Sequence, residues 1–275
     1  MNSKYLIGII IAIVVIIGAY FALAGSSNQQ TIQIAGSTSV QPVAEKLAQA
    51  YMQEHPDVKI NVQGGGTSVG ITSAQQGTAQ IGTASSKPKD SDAQGLVQTQ
   101  IAKDGIVVIV NNANKISALT INQTKDLFSG NVTDWSKMGG SAGSVSVITR
   151  EDGSGTRDGF QNLVMGGKNG TSILKTAIVQ SSTEAILQAV KGNPNSVGYI
   201  SLASLNGDVK AVTINGVAPS EKTVSDDTYK IVRPFIFLTK GQPTGIVKDF
   251  VDFTLSSEGQ SIIKQAGAVP IGSTQ

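Results

Sequence analysis

Three times in this chain an extended segment runs through a short loop of Gly, Ser and Thr directly into a helical pattern. The junctions are Gly36-Ser37-Thr38-Ser39-Val40, Gly64-Gly65-Gly66-Thr67-Ser68 and Arg150-Glu151-Asp152-Gly153-Ser154-Gly155-Thr156-Arg157. Repeated strand-loop-helix order points to α/β architecture with mainly parallel sheets. In such sheets the loops after the strands lie at one edge, so distant junctions can converge on a single crevice.

The intervening segments fit this grammar. Thr31 to Ile34 and Val58 to Val62 alternate as strands. Val43 to Gln53 puts Val43, Ala44, Leu47, Ala48 and Tyr51 on one helical face, with Pro42 at its start and His55-Pro56 at its end. Thr67 opens a helix through Gln76. Ile106 to Val110 is a continuous apolar run, as in a strand covered on both faces. Val145 to Ile148, Val197 to Ile200 and Tyr229 to Leu238 read as strands. Helices start at Thr156 and Thr183, and two more close the chain over 246–255 and 257–266. No internal repeat is visible. The chain has 275 residues, enough for two lobes of about 125 residues each once a leader is set aside. The expected division is 31–109 plus 235–275 for lobe one and 110–234 for lobe two.

Each junction offers hydroxyls and bare backbone N–H groups at a helix N-terminus, where roughly half a positive charge gathers. That combination suits an anion, and glycine lets backbone approach it closely. Taken singly, each loop is explained by an ordinary helix cap. Three together weigh differently, because one carries two of the chain's three arginines, Arg150, Arg157 and Arg233.

Composition removes most competitors. Zero Cys excludes a disulfide scaffold, a thiolate metal site and a Cys nucleophile. A single His, His55, reads as a helix-ending surface residue and leaves no histidine base for a triad. Lys+Arg 21 against Asp+Glu 19 is too balanced for a nucleic-acid binder run by bulk charge. The glycines do not form a nucleotide P-loop, and Gly153-Ser154-Gly155 lacks the spacing of a hydrolase elbow. Asn122-Gln123-Thr124, Asn131-Val132-Thr133 and Asn169-Gly170-Thr171 match the glycosylation acceptor pattern, a short signal. No cofactor is implied.

Tyr5 to Ala24 is free of charge and long enough to span a bilayer core of roughly 30 Å. Lys4 and the amino terminus form the positive flank that favours export of the rest. Two readings are open: an uncleaved transmembrane anchor over 1–24, which the length favours, or a signal peptide cut at Ala22-Leu23-Ala24. Leu23-Ala24-Gly25-Ser26 resembles a lipoprotein box with Ser26 where the lipidated Cys belongs, and a hydroxyl cannot make that thioether. In either reading residues 25–30 are a polar spacer, and the chain from Thr31 onward lies outside the cytoplasm, anchored to the membrane or secreted.

The ordered set GSTSVQP from Gly36, GGGTSVG from Gly64, IGTASS from Ile81, REDGSGTR from Arg150, GYIS from Gly198 and RPFIFLTKGQP from Arg233 resembles the phosphate-binding protein family of ABC importers. The resemblance extends through DFTLSSEGQSIIKQAGAVPI at the end of the chain. It implies a two-lobed periplasmic-binding-protein-like fold with a hinge, closing on one dehydrated phosphate. Carried over by motif, Thr38 and Ser39 hold the anion from the first loop and Thr67 from the second. Arg150 supplies charge-assisted donors, and Ser154, Gly155 and Thr156 the helix-end donors of the other lobe. Asp152 is expected to sit beside Arg150 as its orienting partner. Ser85 stands where some members place an Asp that accepts the proton of hydrogen phosphate, which leaves sulfate, tungstate or molybdate as alternative guests. The implied partners are inorganic phosphate and permease subunits with a separate cytoplasmic ATPase, the protein itself being monomeric and not an enzyme. Two rivals remain: a secreted phosphoester hydrolase with Ser154 as nucleophile, and an anchored structural protein whose loops are only caps.

Overall fold

Residues 29–272 are described by the computed structural model; Tyr5 to Ala24, on which both leader readings rest, lie outside them. Among the described residues no helix is long and apolar enough to cross a membrane.

The first strand β1 (Gln30–Gly36), helix α1 (Gln41–Glu54), strand β2 (Val58–Gly64), helix α2 (Thr67–Gln76) and strand β3 (Ile81–Ala84) build a parallel unit in which β1 lies between β2 and β3. α1 carries Pro42 in its first turn and buries Val43, Ala44, Leu47, Ala48 and Tyr51, the face the spacing predicts. His55 ends it and stacks on Tyr51 at 4.1 Å.

The next strand, β4 (Leu96–Asn111), runs for 16 residues and belongs to both halves of the molecule. Up to Gly105 it pairs with β11 (Val232–Lys240); from Ile106 it pairs with β8 (Ser196–Ser201). Chain between β4 and β8 forms short β5 (Ala118–Leu119), α3 (Ile121–Ser129), β6 (Ser146–Arg150), α4 (Gly155–Leu163), β7 (Ile178–Gln180) and α5 (Thr183–Lys191). After β8 come β9 (Val209–Ala211), β10 (Thr213–Ile214) and α6 (Glu221–Ser225), and beyond β11 α7 (Gly245–Leu255) and α8 (Ser257–Gln265). The main hydrogen-bonded path is β2-β1-β3-β11-β4-β8-β6-β7, with β9 branching from β4.

Side-chain alternation explains why the crossing strands are so apolar. On β4, Ile106, Val108 and Val110 enter one core with Phe128, Trp135, Phe160 and Tyr199, while Val107 and Ile109 enter another with Ile148, Ile186 and Leu187. On β11, Phe235 and Phe237 pack with α1, α7 and α8, whereas Ile236 and Leu238 pack with Ala74 and Ala84 beneath α2. Successive residues point to opposite faces, so a strand covered on both sides must be apolar throughout.

The sheet is mixed rather than mainly parallel. The β-α units pair parallel, but β4 pairs antiparallel with β11, β8 and β9, and β11 pairs antiparallel with β3. One strand leaves the first half and the other returns to it, so neighbouring crossings necessarily run in opposite directions. Their junction is stitched by Ile106 N donating to Ile231 O at 2.8 Å and by the Tyr229 hydroxyl donating to Ile106 O at 2.8 Å.

Candidate functional site

The three Gly/Ser/Thr loops lie at strand ends and meet. Gly36, at φ +139°, has Thr83 and the backbone of Gly70 where a side chain would stand, so the end of β1 requires glycine. Gly66 N donates to Gly36 O at 2.9 Å, joining the first two loops. Ser68 N donates to Gly153 O at 3.1 Å, joining the second loop to the third.

Within this convergence sits a buried polar cluster. Ser39 Oγ is 2.9 Å from Thr156 Oγ1 and 3.0 Å from Thr183 Oγ1. Arg150 Nη1 donates to Thr183 Oγ1 at 3.3 Å, and Arg233 Nη1 donates to Thr156 Oγ1 at 2.7 Å. Three hydroxyls therefore form a chain between two guanidinium groups, and all five residues are buried. Thr38, half-buried at the rim, accepts at Oγ1 from Thr183 N at 3.3 Å. Thr67 accepts at Oγ1 from Ser85 N at 3.1 Å. Ser154 caps α4, accepting from Arg157 N at 3.3 Å, which leaves its hydroxyl proton available to another acceptor. Gly155 is packed against Thr67, Ser85 and Ser86.

Of the residues singled out from the sequence, Thr38, Ser39, Thr67, Ser85, Arg150, Ser154, Gly155 and Thr156 are thus brought together. Asp152 is not. It is exposed and pairs with Arg157 at 3.3 Å, whereas Glu151 holds Arg150 with both oxygens, accepting from Nε and Nη2 at 2.8 Å each. The cause is local geometry. Arg150 ends β6, so its immediate neighbour can fold back alongside it, while Asp152 already lies in the turn and faces the first turn of α4. Thr183 and Arg233, which the sequence reading leaves out of the site, also join. Thr183 begins α5 behind a Ser182 cap, the same Ser/Thr-before-helix pattern as the other loops. Arg233 announces itself only by being one of three arginines in the chain.

Arg233 is anchored from below. Its Nε donates to Asp104 Oδ2 at 2.9 Å, Nη1 also reaches Ser85 O at 3.1 Å, and the guanidinium stands 5.5 Å above the Phe235 ring. Asp104 in turn accepts from the Ser201 hydroxyl at 2.7 Å. Burial raises the Asp104 carboxyl above its ordinary pKa, with Arg233 pulling the other way; burial lowers Arg233, opposed by Asp104. Arg233 remains a cation, as a guanidinium does in proteins. On the far side Tyr199 stacks on Phe160 at 4.1 Å and holds the Thr149 hydroxyl at 2.7 Å, fixing the carboxyl end of β6 against α4.

Gly155 shows how tightly the two halves fit. A Cβ there falls well inside van der Waals contact of Thr67 Oγ1, 2.8 Å from Ser85 Oγ and 2.9 Å from Ser86 Oγ. All three belong to the half built on β1 to β3. Gly155→Ala is therefore expected to hold the halves apart without straining the backbone. Small-anion affinity should fall about 10- to 100-fold, consistent with one or two lost charge-assisted bonds, and the melting temperature should barely move. Titration calorimetry beside a thermal melt reads both; unchanged affinity removes the tight fit as a functional feature.

Known proteins place this geometry in a family. The PBP superfamily domain matches residues 22–258. The phosphate-binding protein PstS of Bacillus subtilis (strain 168) is 30% identical over 246 residues, covering 88% of this chain and 81% of its own. A structure from Clostridium perfringens, described as a phosphate ABC transporter substrate-binding protein with bound phosphate, aligns with TM-score 0.85 at 38% identity. That alignment covers 88% of this chain and 100% of that one. An ABC-type phosphate transport receptor from Vibrio cholerae aligns with TM-score 0.71 at 33% identity, over 86% and 99% of the two chains. The chain belongs to the PBP superfamily and, within it, to the PstS phosphate-binding protein family. Its α/β, two-lobed periplasmic-binding-protein-like fold is the one the sequence reading anticipates, with a mixed sheet in place of a mainly parallel one.

Proposed function

We propose that this protein is the extracytoplasmic phosphate receptor of an ABC-type importer, capturing inorganic phosphate between two lobes and delivering it to permease subunits powered by a separate cytoplasmic ATPase. The observation that carries the reading is the buried chain of hydroxyls between Arg150 and Arg233, drawn from loops of both halves. Ser39, Thr67, Ser85, Ser154 and Thr156, with Thr38 at the rim, supply hydroxyl donors. Gly155 and its neighbours supply backbone N–H groups at the start of α4, and Arg150 supplies charge. Asp152 drops out of the set, and Glu151 takes its place as the partner that orients Arg150.

The donors suffice. Micromolar affinity needs about 8 kcal/mol, and hydrogen bonds to a charged group contribute roughly 1.5–3 kcal/mol each. Seven or eight of them leave a surplus after desolvation and lobe closure. The change of strand partners at Gly105/Ile106 supports putting the hinge on β4 and β11, a few residues inside the division expected from the sequence. The protein acts as a monomer, does no chemistry on its ligand, and is tethered through residues 5–24 or released after their removal.

Calorimetric titration with phosphate, then with sulfate and tungstate in competition, tests the reading. The expected result is one phosphate bound per chain at micromolar affinity or tighter. No heat with phosphate at any concentration up to millimolar ends it, and a tighter fit for sulfate or tungstate transfers the function to that anion.

A further inference from the structure

Among the described residues three buried side-chain polar atoms have no hydrogen-bond partner: Ser85 Oγ, Ser196 Oγ and Arg233 Nη2. Buried polar groups are nearly always satisfied, so each exception asks for an explanation. Two of the three are neighbours, because Arg233 Nη1 donates to the Ser85 carbonyl at 3.1 Å. Nη2 does lie 2.9 Å from Asp104 Oδ2, an ion-pair contact that is off line for a hydrogen bond. Arg233 thus keeps one unspent donor, deep in the protein, beside the hydroxyl chain that Nη1 terminates.

We propose that Arg233 is a second anion-binding guanidinium, facing Arg150 across the hydroxyl chain of Thr183, Ser39 and Thr156, and that the two together make the site favour a doubly charged oxyanion. This rests on the phosphate-receptor reading and names the charge state of its ligand. Each arginine has its carboxylate partner fully engaged: both oxygens of Glu151 accept from Arg150, and Asp104 accepts from Arg233 and Ser201. Each pair is therefore an oriented dipole whose remaining guanidinium donors turn toward the hydroxyls. The charged groups facing Arg233 are Asp104 and Arg150, with the Tyr199 hydroxyl, which burial keeps protonated. Coulombic attraction to such dipoles scales with the charge of the guest. Removing one of them costs a dianion about twice the binding free energy it costs a monoanion, which in affinity is the square of the factor.

The test replaces Asp104 and Arg233 together, as Asp104→Asn with Arg233→Met, so that no lone charge is left buried. Phosphate affinity of the full chain is measured by calorimetry well above and well below the second ionisation of phosphate, with circular dichroism as the check on folding. Wild type is expected to bind the dianion more tightly. The double variant should lose roughly 100-fold against the dianion and about 10-fold against the monoanion, the range of one charge-assisted contact. Equal losses at both pH values mean a structural role only and overturn the proposal, as does unchanged affinity; in both cases the phosphate reading survives. Absence of phosphate binding by wild type overturns both. Should the first pair not fold, Asp104→Ser with Arg233→Gln carries the same comparison.

Discussion

Thr156→Asp will abolish phosphate binding while leaving the fold intact. Thr156 is the second residue of α4, a first-turn position where an acidic side chain is favoured by the helix dipole by about 0.3–1 kcal/mol. Its Oγ1 already accepts from Arg233 Nη1 and lies 2.9 Å from Ser39 Oγ. A carboxylate there takes the guanidinium for itself and sets a fixed negative charge where the guest's oxygens belong. Two charge-assisted bonds are lost and a like-charge repulsion is added, so affinity should fall by a factor on the order of 1,000 or more. The signature is a pair of readings: no calorimetric titration with millimolar phosphate, and a circular dichroism spectrum unchanged from wild type. Retained micromolar binding means that Thr156 does not touch the anion.

Asp104→Ala should be among the most damaging single substitutions for stability. Asp104 is completely buried and is tied to Arg233 and Ser201 where β4 passes from one half of the sheet to the other. Removing it leaves the guanidinium of Arg233, a residue only 3% exposed, without its carboxylate. Breaking such a pair from one side costs about 3–5 kcal/mol, which for a chain of this size lowers the melting temperature by roughly 10 °C. Exchanging both partners should cost much less, because no charge remains buried alone. Phosphate should recover part of the lost stability, since an anion that binds only the folded state stabilises it by mass action. A melt of the single variant within about 2 °C of wild type would show that the pair contributes little to holding the crossing strands.

Local features are the ones legible in the amino-acid sequence. The loop at Gly36, the face of α1, the run of Ile106 to Val110 and the start of α2 each depend on residues within a turn or two of one another. The polar stretch preceding Ile106 hides its strand, because the first ten residues of β4 hold Gln98, Gln100, Lys103 and Asp104 and show no clean alternation. α3 escapes the sequence reading although Thr120 and Gln123 form a reciprocal cap at its start. Arg233 is 77 residues from Thr156, and no periodicity links them. Residue type and motif point to Asp152 as the partner of Arg150, but strand-end geometry selects Glu151. The expected boundary after Ile109 falls near the end of the apolar run, one residue before Val110, whereas the pairing changes at the first residue of that run.

The position of β11 has a consequence for how the chain is assembled during synthesis. This strand sits between β3 and β4, yet it is made some 120 residues after β4. Until Lys240 has emerged, β3 and the first part of β4 each present an unsatisfied backbone edge. Segments 106–231, by contrast, can gather their own core as soon as they appear. The anion-binding half that comes first in the gene is thus completed last. A ribosome stalled between residues 111 and 232 leaves open edges of the kind that invite unwanted strand pairing.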